Sequence, residues 1–270
     1  MKRTIFSGAG ATFVLIVGFC IVWPLVSPYG VNDVDLSLSR QGPSLAHPLG
    51  TDQFGRDLLT RLAAGGATTL TIAGIALTII LCVGTAYGTT AALAAPKIDA
   101  VMMRIVDGLF ALPRLPIAIV ILVAVRLQGQ NVETVALALA VVGWMLTARL
   151  VRGQVMSLMT RDFVTAARSL GGSNTHIAVR HLIPNSAGIL LVAILLELPT
   201  VVVGEAFFAV LGLGPDPPTA TWGNIAQEGL HFDRLWQMTL ATAAIATFAL
   251  SSNVLVDRIG DWLDPRRRTD

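Results

Sequence analysis

The stretch Arg161-Asp-Phe-Val-Thr-Ala-Ala-Arg-Ser-Leu-Gly-Gly-Ser-Asn-Thr-His-Ile-Ala-Val-Arg-His-Leu-Ile-Pro184 interrupts the apolar second half of the chain, and its reading decides the rest. Asp162 to Leu170 is a run of helix formers that opens with an N-cap candidate at Asp162 and stops at Gly171-Gly172, which no helix interior favours. Ser173 is suited to cap a second helix, residues 174–182 carry it from Asn174 onward, and Pro184 is expected to end it. The product is helix, glycine turn, helix. With small residues at Ala166 and Ala167, such an element is suited to dock on a partner and pass on a rigid-body motion. The plainer reading is an ordinary loop between two apolar segments.

Outward from this loop the chain is apolar over lengths that match a hydrocarbon core, which takes about 20 residues of helix. Six stretches qualify or nearly do, near 8–27, 67–95, 105–126, 132–148, 186–211 and 235–256, the fourth being short. A composition of 54% hydrophobic and 13% charged residues, with a mean hydropathy of +0.70, agrees, and an all-α membrane protein with six transmembrane helices is expected. Lys2 and Arg3 before an apolar run also suit a signal peptide, but no small-x-small site follows, and Trp23, Pro24 and Pro28 stand where one belongs.

With the N-terminus inside, the segments 96–104, 149–185 and 257–270 share its side and hold Lys97, Arg104, Arg149, Arg152, Arg161, Arg168, Arg180, Arg258 and Arg266 to Arg268. Arg40, Arg56, Arg61, Arg126 and Arg234 fall opposite. This asymmetry places both termini in the cytoplasm. On the outer side, residues 28–66 form a Pro- and Gly-punctuated loop with a polar helix candidate at 53–63, where Gln53, Asp57 and Arg61 recur at four-residue spacing. Trp222, Phe232 and Trp236 suit a membrane interface. The division expected is an N-terminal helix with its external loop, 1–66, and a five-helix core, 67–270.

Several function classes are excluded. A net charge of +2 with dispersed arginines argues against a nucleic-acid partner. Cys20 and Cys82 lie far apart in apolar runs and read as packing residues. His47, His176, His181 and His231 fall in three polar segments on two sides, too scattered for a metal site. A P-loop needs Lys after Gly, yet the only lysines, Lys2 and Lys97, follow Met and Pro. No HExxH or GxSxG stands in the chain, so catalysis is not expected of it.

Among ionisable residues Arg114, between Pro113 and Pro116 inside the third apolar stretch, is the costliest, at roughly 2.5–3.5 kcal/mol on insertion scales. It should face a cavity or a partner group, and the two prolines are expected to bend or loosen this helix, leaving backbone groups that need partners from neighbouring helices or water. Glu197, midway along the fifth stretch beside Pro199, is the natural opposite charge, and Glu205 lies eight residues on, roughly on the same face. Two readings stand: an acid lining a pathway that attracts a cationic group, or a buried structural pair with Arg114. Asp107 and Glu133, near span ends, are expected to be solvated. Asp52, Gly55, Arg56 and Asp57 are candidates for receptor contact or an outer gate; the alternative is that Asp52 and Arg56, four apart, only pair with each other on the loop, an exposed contact worth under about 1 kcal/mol.

The opening stretch resembles the EAA loop of ABC importer permeases, Glu-Ala-Ala, three residues, Gly, nine residues, Ile-x-Leu-Pro. Thr165, Ala166, Ala167, Gly171 and Pro184 occupy those positions with the spacing intact. Thr165 stands for the Glu, His181 for the first Ile and Ile183 for Leu, so the ion pair the family makes from the Glu position has no carboxylate here. His47-Pro-Leu-Gly-Thr-Asp-Gln-Phe-Gly-Arg-Asp57, Leu211-Gly-Leu-Gly214 followed by Trp222-Gly223, Arg180-His181 before Leu-Ile-Pro-Asn, and the terminal Leu263-Asp-Pro-Arg266 resemble the dipeptide, oligopeptide and nickel branch, its C-type subunit above all. The resemblance implies a type I importer permease fold, with Gly172 to Ala178 as a coupling helix seated on an ATPase. It also implies a second homologous permease, two ATP-binding subunits carrying ATP and Mg, and an extracytoplasmic substrate-binding protein. Peptides are the implied cargo, with nickel or a metal chelate as the alternative. A stand-alone secondary carrier is the rival class, but it has no use for a protruding ATPase-docking loop, and no inverted repeat is visible.

Overall fold

The computed structural model describes residues 2–125 and 130–263. Arg126 and the Asp264-Pro-Arg-Arg-Arg268 end of the terminal motif lie outside that description, as do the side chains of Lys2, Arg3 and Arg258. In chain order the helices are α1 (Lys2–Val26), α2 (Leu58–Leu93), α3 (Pro96–Phe110), α4 (Arg114–Val125), α5 (Val132–Met159), α6 (Asp162–Ser169), α7 (Asn174–Ile177), α8 (Ile183–Asn185), α9 (Ala187–Val210), α10 (Trp222–His231) and α11 (Leu235–Leu263). Five of them, α1, α2, α5, α9 and α11, are long and apolar enough to cross a membrane, and α3 with α4, bent by 86° where they meet, counts as a sixth when the pair is taken as one span.

The bend falls at the two prolines expected to bend or loosen the third apolar stretch, and it divides that stretch into two helices. Pro113 has no amide proton to continue a helical ladder, and its ring drives the preceding residue out of the helical region. Pro116 falls in the first turn of α4, where its missing amide costs nothing. Arg114 therefore sits at the corner between two helices. The fourth span is also longer than the apolar run suggests, because α5 continues as helix through Arg149 and Arg152 to Met159. Those arginines pair with α3, Arg149 with Asp107 at 2.6 Å and Arg152 with Asp99 at 2.6 Å, so Asp107 is paired as well as solvated.

At the centre α2 packs along α5 through small residues. A Cβ on Gly84 would lie 2.6 Å from Cβ of Thr147, the close backbone approach by which helices associate in lipid. Ile72, Ala76, Leu139 and Phe208 join α2, α5 and α9 in one core. α5 is the most enclosed, with 61% of its most apolar stretch buried, and α1 the least, with 6%. α1 reaches that core through Phe13, whose ring lies 5.3 Å from Phe248 on α11. Trp222 belongs to the core instead of an interface: it is 1% exposed, and its indole donates to the Leu62 carbonyl at 2.9 Å. Cys20 is buried as a packing residue, whereas Cys82 is exposed on the outside of α2.

Candidate functional site

Of the expected polar helix at 53–63, the first half is a turn and the second half is the start of α2. Asp52 accepts from the amides of Phe54 and Arg56 at 2.8 and 3.0 Å, and Gly55 holds a φ of +76° that side-chain-bearing residues rarely adopt. Helix α2 then starts at Leu58, capped by Asp57, whose carboxylate accepts from the Thr60 amide at 2.8 Å. It runs unbroken through residues 66 and 67, where the sequence suggested a domain boundary.

The charges of this loop are not exposed, as the local pairing expected, but buried. Asp52 is 0% exposed and Arg61 1%. Arg56 reaches Asp52 and, at 2.8 Å, Glu228 on α10. Arg61 meets Glu228 at 3.0 Å and Asp52 at 3.5 Å. Two guanidiniums thus face two carboxylates, which is the pairing a buried charge requires. His47 Nδ1 lies 2.9 Å from Asp57. Trp236 donates to the Leu49 carbonyl at 3.0 Å, and the rings of Phe54 and Phe232 meet edge to face at 5.9 Å. Together these contacts fasten residues 47–61 to α10 and α11.

Arg114 and Glu197 come together, with Nη1 of Arg114 at 3.3 Å from Oε1 and 3.5 Å from Oε2. They also line a cavity of about 420 Å³ together with Leu139, Gly143, Thr200 and Asn253. The two alternatives left by the sequence therefore merge into a pair on a cavity wall. Glu205 is placed elsewhere. It is fully buried, takes a hydrogen bond from Thr69 Oγ1 at 3.2 Å and packs under Gly223, away from that cavity. Across α10 the loop 212–220 closes a second cavity of about 260 Å³, lined by Gln130, Asp216, Asn224 and Glu228.

On the opposite side, the loop 161–185 folds as a helix, a glycine turn and a second helix. Asp162 is the first helical residue and Arg161 occupies the cap position, one place earlier than expected. Gly171 has a φ of +85°. Its amide donates to the Arg168 carbonyl at 2.9 Å and that of Gly172 to Ala167 at 3.0 Å, the paired bonds that close a helix on a left-handed residue. Ser173 Oγ accepts from the His176 amide at 3.2 Å. Pro184 does not stop the second helix. A π-helical turn, Ala178–Leu182, leads into α8, where Pro184 falls in the first turn and its missing amide is tolerated. Val164, Ile177 and Leu182 bury themselves against Val151 and Val155 at the end of α5. Thr165, Ala166, Gly171, Ser173 and Asn174 remain exposed, as do Leu170 at 89% and Val179 at 64%. His181 lies 6.0 Å from His176, ring to ring, and half-buried.

Sequence reasoning missed Glu228 as the anchor of the outer loop. It lies 172 residues from Arg56, and a lone acid in a polar segment carries no local signal of its partner.

Residues 84–269 match the family described as the inner membrane component of binding-protein-dependent transport systems. The chain is 34% identical to the dipeptide transport system permease of Bacillus subtilis, over 99% of its own length and 84% of the relative's. It is 33% identical to the oligopeptide transport system permease of Escherichia coli K12, over 94% and 85%. In structure it is similar to a chain of the inward-facing MetNI methionine ABC transporter, with a TM-score of 0.62 at 17% identity, covering 76% of this chain and 96% of that one. An amino acid ABC transporter chain gives a TM-score of 0.51 at 19% identity over 75% and 94%; both similarities concern the fold alone. Motifs, fold and relatives agree, and the chain belongs to the binding-protein-dependent transport system inner membrane components, the permeases of ABC importers, as a multi-pass protein of the bacterial inner membrane.

Proposed function

We propose that this chain is one of two homologous permease subunits through which small peptides enter the cell, driven by two ATP-binding subunits and supplied by an extracytoplasmic binding protein. Membership of the family implies ATPase and substrate-binding partners. The observation that carries the coupling role is the loop 161–185, rigidly anchored on α5 by Val164, Ile177 and Leu182 while its turn and Leu170 stand free. The peptide cargo follows from the names of the dipeptide and oligopeptide relatives.

In this reading the chain carries out no chemistry; ATP and Mg bind the partner subunits. Closure of those subunits displaces the two coupling helices, and α5 and α9, to which the loop is joined, transmit the displacement to the cavity between α4 and α9. ATP supplies the differential affinity that shifts the permeases between inward- and outward-facing states. Thr165 gives the loop no carboxylate at the position where the family has Glu, so docking here draws on other exposed side chains of the loop, among them Arg168, Leu170, Val179 and Arg180. Extraction of the tagged chain in mild detergent tests the assembly. A second permease and ATP-binding subunits should copurify, and reconstituted vesicles should take up dialanine with ATP. A chain that purifies alone or as a self-pair and transports without nucleotide would overturn the reading in favour of a secondary carrier.

A further inference from the structure

We infer that Arg114 is a substrate-binding residue that receives the carboxylate of the transiting solute, with Glu197 serving as its fixed counter-ion. The inference rests on the peptide-importer reading and names the chemical group that the cavity recognises. The geometry is asymmetric. Glu197 is 2% exposed and Arg114 26%, so the group within reach of a solute is the cation. Only Nη1 of the guanidinium contacts Glu197, at 3.3 and 3.5 Å, and its Nε and Nη2 make no hydrogen bond among the described residues. That free edge is the two-donor fork that matches a carboxylate.

Its position is held independently of any ligand. Phe110, the last residue of α3, lies under the guanidiniums of Arg114 and Arg149, 5.0 and 4.3 Å from the ring centroid, contacts that favour the cation on the ring face. The cavity meets α4 at its first two residues, Arg114 and Leu115, where helix amides have no partner inside the helix and favour an anion. A volume of about 420 Å³ lies within the range of small-molecule sites. Apart from the buried Glu197, the remaining wall is largely apolar, from Leu139, Val142 and Val203, so a carboxylate entering here finds one cation to bind.

A labelling experiment on the complete reconstituted complex tests this. With Cys20 and Cys82 changed to Ala, Thr200→Cys places a thiol on the cavity wall, one turn from Glu197, for a neutral methanethiosulfonate reagent. Dialanine should slow its modification and alanyl-alanine amide should not. Arg114→Gln should weaken the protection by about ten- to a hundredfold, the loss of a charge-assisted hydrogen bond, and Arg114→Lys should keep part of it. Since Arg114→Gln leaves Glu197 buried without a partner, the neutral pair Arg114→Gln with Glu197→Gln is the second test. It should remain folded and still lose protection. Equal protection by both peptides, or protection restored in the double variant, would make Arg114 a counter-ion only and overturn the inference. Uptake of labelled dialanine by the same vesicles separates the two levels. Uptake without protection overturns the carboxylate site alone; no uptake overturns the peptide reading and the site with it.

Discussion

The loops on the two faces of this permease are built in opposite ways. Residues 47–61 turn their charges inward: Asp52, Arg56, Arg61 and Glu228 satisfy one another beneath the surface, and the backbone is pinned through Asp57 and Trp236. Residues 161–185 fully bury Val164, Ile177, Ala178 and Leu182, half-bury a few others such as Ala167 and His181, and leave most of the rest exposed. Both stretches carry family motifs, yet one motif is written in residues that hold the fold and the other in residues left on the surface. A motif alone does not reveal which; burial does.

The comparison breaks if the outer charges prove dispensable, so the largest effect is expected there. Arg61→Ala leaves Asp52 and Glu228 sharing one guanidinium, and a buried pair broken from one side costs about 3–5 kcal/mol. Thermal unfolding of the purified complex in detergent should show a marked loss, and an unchanged melt would mean that water solvates this cluster. Gly55→Ala should rank next, because the residue adopts a φ of +76° and a Cβ there would run into the Asp35 carbonyl. Backbone strain of this kind costs about 1–3 kcal/mol, read in the same melt.

The inner loop sharpens the contrast through a change that leaves the fold alone. Leu170→Ser, at a side chain 89% exposed, should move the stability of the chain by no more than about 0.5 kcal/mol. It should nevertheless weaken retention of the ATP-binding subunits during purification. A large melt shift with normal subunit retention would assign Leu170 to the fold instead.

Much of this architecture was legible in the sequence, and the limits have physical causes. Apolar length alone located the crossings, because a bilayer demands about 20 residues of helix whatever its neighbours are. Ser173 and the Gly171-Gly172 pair were legible because caps and left-handed turns depend on local residues. Pro113 and Pro116 pointed to a bend in the third span, but neither its 86° angle nor the contact of α3 with α5 through Asp99 and Arg152, 53 residues apart, has a local signal. Arg56 and Glu228 meet across a still longer gap, so the outer network could be read only in its local half. Trp222 followed the rule for interfacial aromatics and broke it, since Gly66 of α2 leaves the space its indole fills. Arg114 and Glu197 were paired by charge in advance, whereas the exposure that separates acceptor from counter-ion depends on the cavity.

In the proposed importer, energy enters through the turn at Gly171. Proline cannot adopt the φ of +85° found there and removes the amide that bonds Arg168. The most direct measurement is therefore ATP hydrolysis and dialanine uptake by the reconstituted complex carrying Gly171→Pro, alongside the amount of chain inserted in the membrane. The account predicts normal insertion with loss of both uptake and receptor-stimulated hydrolysis; normal stimulated hydrolysis and uptake in that variant would contradict it.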